Sequence, residues 1–148
     1  MFTHDRKNMR EVFFRAWQHY RDEIPLEGVE QLIVTIAQRH PEYQPILNDA
    51  QRYADRDYAP QLGETNPFLH MGMHIAIAEQ LSIDQPRGVR AHFRAILART
   101  GDEHETEHRM MDCMGEMLWQ AERAGAAPNA AIYLSCLARL SGIEMRES

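Results

Sequence analysis

The chain has 148 residues, 44% of them hydrophobic and 26% charged, with 16 basic and 22 acidic side chains giving a formal charge of -6. That composition supplies enough apolar material for a buried core in one domain spanning 1–148 and excludes a disordered chain. The acidic excess leaves no basic field to hold a phosphate backbone, which excludes nucleic acid as the expected partner.

Helix signals then follow one another along the chain, and the pattern predicts an all-α bundle of about five to seven helices. In "DRKNMREVFFRAWQHYRDE", Met9, Val12, Phe13, Trp17 and Tyr20 recur at three- and four-residue spacing, the stripe of an amphipathic helix that breaks at Pro25. "LEGVEQLIVTIAQRH" aligns Val29, Leu32, Ile33, Ile36 and Ala37. It must end before Pro41, because proline disfavours helical backbone in the residue preceding it. A short helix from Pro41 to about Asn48 comes next, and "DAQRYADRDYAPQLGET" reads as a polar, partly helical segment, with Pro60 and Gly63 marking an irregular stretch.

Asn66 and Pro67 form a start signal, since an asparagine side chain accepts from the free N–H groups of a first turn and proline needs no donor there. This helix runs to about Leu81. "PRGVRAHFRAILART" turns Val89, Phe93, Ile96 and Leu97 inward and stops at Gly101, while Arg87, Arg90, Arg94 and Arg99 read as a solvated face. Asp102 caps a long helix to about Ala124, and Gly125 and Pro128 separate it from "NAAIYLSCLARL", which Gly142 closes. Cys113 and Cys136 sit in apolar helical patterns and read as small core residues without a disulfide framework. No apolar run approaches the roughly 20 residues of a membrane span, and "MFTHDRKNMREVFF" lacks the apolar core of a signal peptide. The expectation is a cytoplasmic protein with no membrane partner.

Two histidine pairs carry the chemistry. His70 and His74, and His104 and His108, are each four residues apart, so each pair presents two imidazoles on one side of its helix. If the helix from Val89 to Arg99 packs antiparallel between the two motif helices, these run parallel and the pairs lie within about 3–5 Å of the same height. Four imidazoles at that height make a site for one divalent transition metal: zinc first, with nickel, iron or copper as alternatives, because imidazole ligation does not suit calcium or magnesium. A helix N-terminus opposes a cation by about 0.3–1 kcal/mol. Glu79, Glu103, Glu105, Glu107 and Asp112 offset that charge, with Asp112 placed to accept a ring N–H from His108. If all four histidines ligate, the site is closed and structural; if one is free, a water can enter and hydrolytic chemistry follows.

The bland reading of any one such histidine is a core residue hydrogen-bonded to a carbonyl or carboxylate. The repeated spacing is what sets these two pairs apart. His40, in "RHPEY", reads as a cap at a helix end with a ligand role left open. His4, His19 and His92 read as surface residues. Met71, Met73, Met110, Met111, Met114 and Met117 read as core packing, with soft thioether ligation of copper as the minor reading. "HETEH" also fits the H-E-x-x-H pattern of zincin proteases, with Glu105 as general base, but it opens a helix and no histidine follows His108 to serve as third ligand. A rival reading is a metal-free homodimer in which some of Phe13, Phe14 and Trp17 face the partner copy.

"GETNPFLHMGMHIAIAEQLSIDQP" together with "MDCMGEMLWQAERAG" resembles a bacterial family catalogued as a domain of unknown function, number 1841, and the likeness covers most of the chain. The resemblance implies a small cytoplasmic bacterial protein and carries no activity with it. In kind, a histidine site in a helical bundle is also similar to those of DinB-like proteins and hemerythrins. Neither the three-histidine set of the first nor the bridging carboxylates of the second is reproduced here.

Overall fold

The chain starts in helix and returns to it after every interruption. The computed structural model describes residues 2–59 and 64–142, with side chains from Arg6 onward; Pro60, Gly63 and the side chain of His4 lie outside the described residues. In chain order the elements are α1 (Phe2–Arg21), α2 (Val29–Arg39), a 3-10 turn (Pro41–Tyr43), α3 (Gln44–Leu47), α4 (Ala50–Tyr53), α5 (Pro67–Ile83), α6 (Val89–Thr100), α7 (Glu103–Ala124) and α8 (Ala130–Ser141). The protein is all-α, with eight α-helices and no strand among the described residues. The count exceeds the expected five to seven by α4, a single turn in the polar segment and too short to display a hydrophobic period.

The helix starts are set by the residues that signalled them. Asn66 Oδ1 accepts from the N–H groups of Phe68 and Leu69 at 2.9 and 3.2 Å. Asp102 Oδ2 accepts from the Glu105 N–H at 2.8 Å, and Asn129 Oδ1 from that of Ala131 at 3.0 Å. Each bond satisfies a donor that the first turn leaves without an intrahelical acceptor. Gly101, with φ of 74°, closes α6 in the left-handed region that a side chain would strain.

The chain divides into two compact units, Met1–Ile75 and Ala76–Ser148, and the division falls inside α5. No linker composition marks it, because the backbone there is continuous helix.

In the first unit α1 packs on α2 around Phe13, Phe14, Ala16, Trp17, Ile33, Val34, Ile36, Ala37, Leu47, Phe68 and Met71. Phe68 meets Phe13 and Phe14 edge-on, with ring centroids 5.8 and 5.5 Å apart. Phe13, Phe14 and Trp17 are therefore core residues, which removes them from the homodimer surface the sequence reading offered. The buried stripe of α1 is also displaced from the expected one. Met9 and Tyr20 are exposed, while Arg10 is buried at 5% relative exposure.

Arg10 is tolerated there because its donors find backbone oxygens. Its Nη1 donates to the carbonyls of Tyr53 and Arg56 at 3.1 and 2.8 Å, and its guanidinium lies 4.6 Å from the Phe68 ring centroid. Desolvation draws its pKa below the ordinary arginine value. Asn48 Oδ1 accepts from Trp17 Nε1 at 2.9 Å and from Arg21 at 2.8 Å, tying the end of α3 to α1.

In the second unit α6, α7 and α8 pack on one another in all three pairs. Val89, Ile96, Met110, Cys113, Tyr133 and Leu137 are fully buried, and Tyr133 donates to Gln80 Oε1 at 2.7 Å. Burial pushes the Tyr133 phenol well above its ordinary pKa. Met71, Met110, Met111 and Met114 are buried, as their helical spacing indicated. Arg87, Arg90, Arg94 and Arg99 are exposed; Arg90 donates to the carbonyls of Leu81 and Ser82 at 2.6 and 2.7 Å and so caps the end of α5.

Cys113 and Cys136 form a disulfide between α7 and α8, with their Cα atoms 5.6 Å apart. This overturns the reading of both as thiols. Each cysteine lies on the apolar face of its own helix, and packing those faces together brings the sulfurs into register, a tertiary event that spacing along the chain does not reveal. Among the described residues no helix is long and apolar enough to cross a membrane.

Two consequences are measurable by chemical denaturation. Arg10→Met should lower stability by about 2–3 kcal/mol, because buried carbonyls lose their donor; Arg10→Lys should recover only part of that, lacking the planar fork. The double substitution Cys113→Ser with Cys136→Ser should cost about 3 kcal/mol, the loop-closure entropy of a link spanning 23 positions. Reductant should then leave the double variant's unfolding midpoint unmoved while lowering that of the native chain.

Candidate metal centre

The first turn of α5, held by Asn66, determines where its two histidines point. His70 and His74 are one turn apart, and their Nε2 atoms are 3.2 Å from each other, a hydrogen bond in which one ring donates and the other accepts. Their ring centroids are 4.9 Å apart at 62°. His74 is buried and His70 is half-buried.

His40 joins them. It ends α2 with φ of -127° and ψ of 74°, and Pro41 after it opens the 3-10 turn. The ring stacks on Tyr43 at 5.1 Å and 19°, and its centroid lies 5.0 Å from that of His70 and 5.2 Å from that of His74. Its Nδ1 is 2.9 Å from Glu42 Oε1. The Glu42 carboxyl is held below its ordinary pKa, first by a hydrogen bond from its own backbone N–H, then, against a smaller opposing effect of burial, by the bond to His40. The first unit thus gathers three imidazoles, and sequence reasoning had named only two of them. The signal for the third was present in "RHPEY", where a carboxylate follows a histidine across a proline and can reach back to its ring.

In the second unit Asp102 and Thr106 fix the start of α7. Thr106 is fully buried and its hydroxyl donates to the Asp102 carbonyl at 2.8 Å. His104 and His108 follow on adjoining turns, half-buried, with ring centroids 4.1 Å apart at 70°. Asp112 lies exposed on α7. Glu105 is half-exposed, and its carboxylate accepts from Arg109 at 3.0 Å.

Among the described residues, His40, His74, His104 and His108 form a group of side chains that could hold a metal ion. Three of these were named from their helical spacing. His40 completes the group, with His70 beside it in ring contact.

A family model described as a domain of unknown function (DUF1841) matches residues 5–139. The chain belongs to this family. Neither a curated protein nor a solved structure matches it. The matched span of the DUF1841 domain contains all five of these histidines, and also His19 and His92.

Those two are not the free surface residues expected. His19 Nδ1 lies 2.8 Å from Glu30 Oε2, joining α1 to α2. His92 is buried, and its Nδ1 lies 3.1 Å from Ser141 Oγ, joining α6 to α8. His92 reads as polar surface in the sequence because exposed Arg90 and Arg94 flank it on α6.

Burial holds the His92 imidazole below its ordinary pKa. The unfolded chain therefore takes up this proton first as pH falls. The stability due to neutral His92 should be intact above about pH 6.5, the ordinary imidazole value, and decline below it until the lowered folded value is passed. Urea midpoints of metal-free protein should show this acid decline, and His92→Gln should flatten it.

Proposed function

We propose that this protein binds one divalent transition metal through His40, His74, His104 and His108. The single observation that carries the reading is the grouping of these four imidazoles as potential ligands. Their local settings support it. His70 and His74 bring their Nε2 atoms within 3.2 Å of each other, and His104 and His108 meet edge-on from successive turns. Sequence spacing made His70 the fourth ligand; the candidate group favours His40, with His70 the neighbour that accepts from or donates to His74 in the metal-free chain.

Neutral imidazole nitrogens suit zinc, nickel, copper or iron, and zinc is the ion we assign, since four nitrogen donors match its tetrahedral preference. Four protein ligands leave a tetrahedral ion no open position. The role is then structural: the ion's binding energy becomes folding energy, because its donors come from distant parts of the chain. The hydrolase reading of "HETEH" is weaker, because the Glu105 carboxylate is engaged with Arg109 on an exposed face instead of being held for a metal-bound water.

Untagged protein should carry close to one equivalent of metal by elemental analysis. Chelator should lower its melting temperature, and acid below about pH 5.5 should do the same, because protons compete for the same nitrogens. His74→Ala and His108→Ala should each abolish most of the chelator-sensitive stability, and His40→Ala should weaken zinc binding more than His70→Ala. Less than about a tenth of an equivalent, with no uptake of added zinc, nickel, copper or iron, would return these histidines to ordinary core packing.

A further inference from the structure

We infer that Glu42 is the positioning residue of this metal centre: by accepting a hydrogen bond from His40 Nδ1, it fixes the imidazole tautomer that presents Nε2 to the metal. The inference rests on the metal-binding reading and names a residue which that reading does not use.

A neutral imidazole has one N–H and one lone pair, and only the lone-pair nitrogen can bind a metal. A carboxylate is an acceptor only, so the nitrogen facing it must carry the proton. Glu42 Oε1 is 2.9 Å from His40 Nδ1, which places the N–H on Nδ1 and the lone pair on Nε2. Nε2 is the buried nitrogen, while the Glu42 side chain is 60% exposed. The outward nitrogen faces the carboxylate and the inward one is the nitrogen the metal would take.

Local covalent geometry holds this arrangement. Pro41 sits between the two residues as the first position of the 3-10 turn, and Tyr43 stacks on the imidazole with its ring nearly parallel to it. The ring is thereby fixed in plane by stacking and in tautomer by the carboxylate. Glu42 also contributes negative charge one ring away from an ion whose proposed ligands are all neutral. A carboxylate behind a ligating histidine raises the basicity of the ligand and offsets the ion's charge. His40 has such a partner within two residues of itself, supplied by the chain's own turn.

The test uses the full chain and zinc as the probe, with affinity read by competition against a chromophoric chelator. Glu42→Ala should weaken zinc binding by about 10–100-fold, the usual effect of losing such a partner. Glu42→Asp should restore part of it, and Glu42→Gln should fall between. None of the three should move the melting temperature of the metal-free protein. Nitrogen-15 spectra of metal-free protein should show the His40 N–H on Nδ1 in the native chain and a mixture of tautomers in Glu42→Ala.

Zinc uptake that is equal in Glu42→Ala and the native chain overturns this inference while leaving the metal reading standing. So does a weakened variant whose metal-free form has lost stability in proportion, or a native spectrum with the proton on Nε2. No zinc uptake by the native chain overturns both.

Discussion

The first unit is organised around a charge that has been taken out of water. A guanidinium cannot shed its proton at any ordinary pH, so Arg10 can be buried only where oxygens and an aromatic face surround it. The carbonyls of Tyr53 and Arg56 supply the oxygens and Phe68 supplies the face. That requirement brings three separate pieces of chain together: the middle of α1, the end of α4 and the first turn of α5. Since α2 packs on α1, His40 at its end and the two histidines of α5 inherit their placement from the same arrangement. A polar residue on a helix face that looked apolar thus organises the surroundings of the imidazoles.

Features decided by a few neighbouring residues were legible in the sequence. Asn66, Asp102 and Asn129 announced helix starts because a cap is a contact within three residues. The pairs His70 with His74 and His104 with His108 were legible for the same reason, since one helical turn is a local distance. What escaped was set by tertiary neighbours. Arg10 reads as solvated until the carbonyls of Tyr53 and Arg56 are in view. The buried face of α1 shifted by one position because that arginine, and not Met9, turned inward. His92 is inside because Ser141 on α8 meets it, and the two cysteines are bonded because two apolar faces pack. His40 lies between these cases: its contact with Glu42 is local, yet its approach to α5 is not.

The histidines of this chain fall into distinct chemical settings although their side chains are identical. His19 faces a carboxylate at 2.8 Å. His92 is enclosed beside a hydroxyl, a setting that disfavours the cation. His40, His70, His74, His104 and His108 each lie against another imidazole. Crowded imidazoles are comfortable when their nitrogens alternate as donor and acceptor or share an electrophile. A metal ion satisfies several lone pairs at once, which is the physical reason that clustering and coordination go together.

The bond between Cys113 and Cys136 has a topological meaning as well as an energetic one. Between α7 and α8 runs a short exposed connection from Gly125 to Asn129, the kind of surface segment at which proteases cut. A cut there would leave α8 covalently attached to the remainder of the chain through the sulfurs, so without reductant the break would show only as the mass of one added water. The chain is a closed loop at this point, and severing its backbone once does not release a fragment.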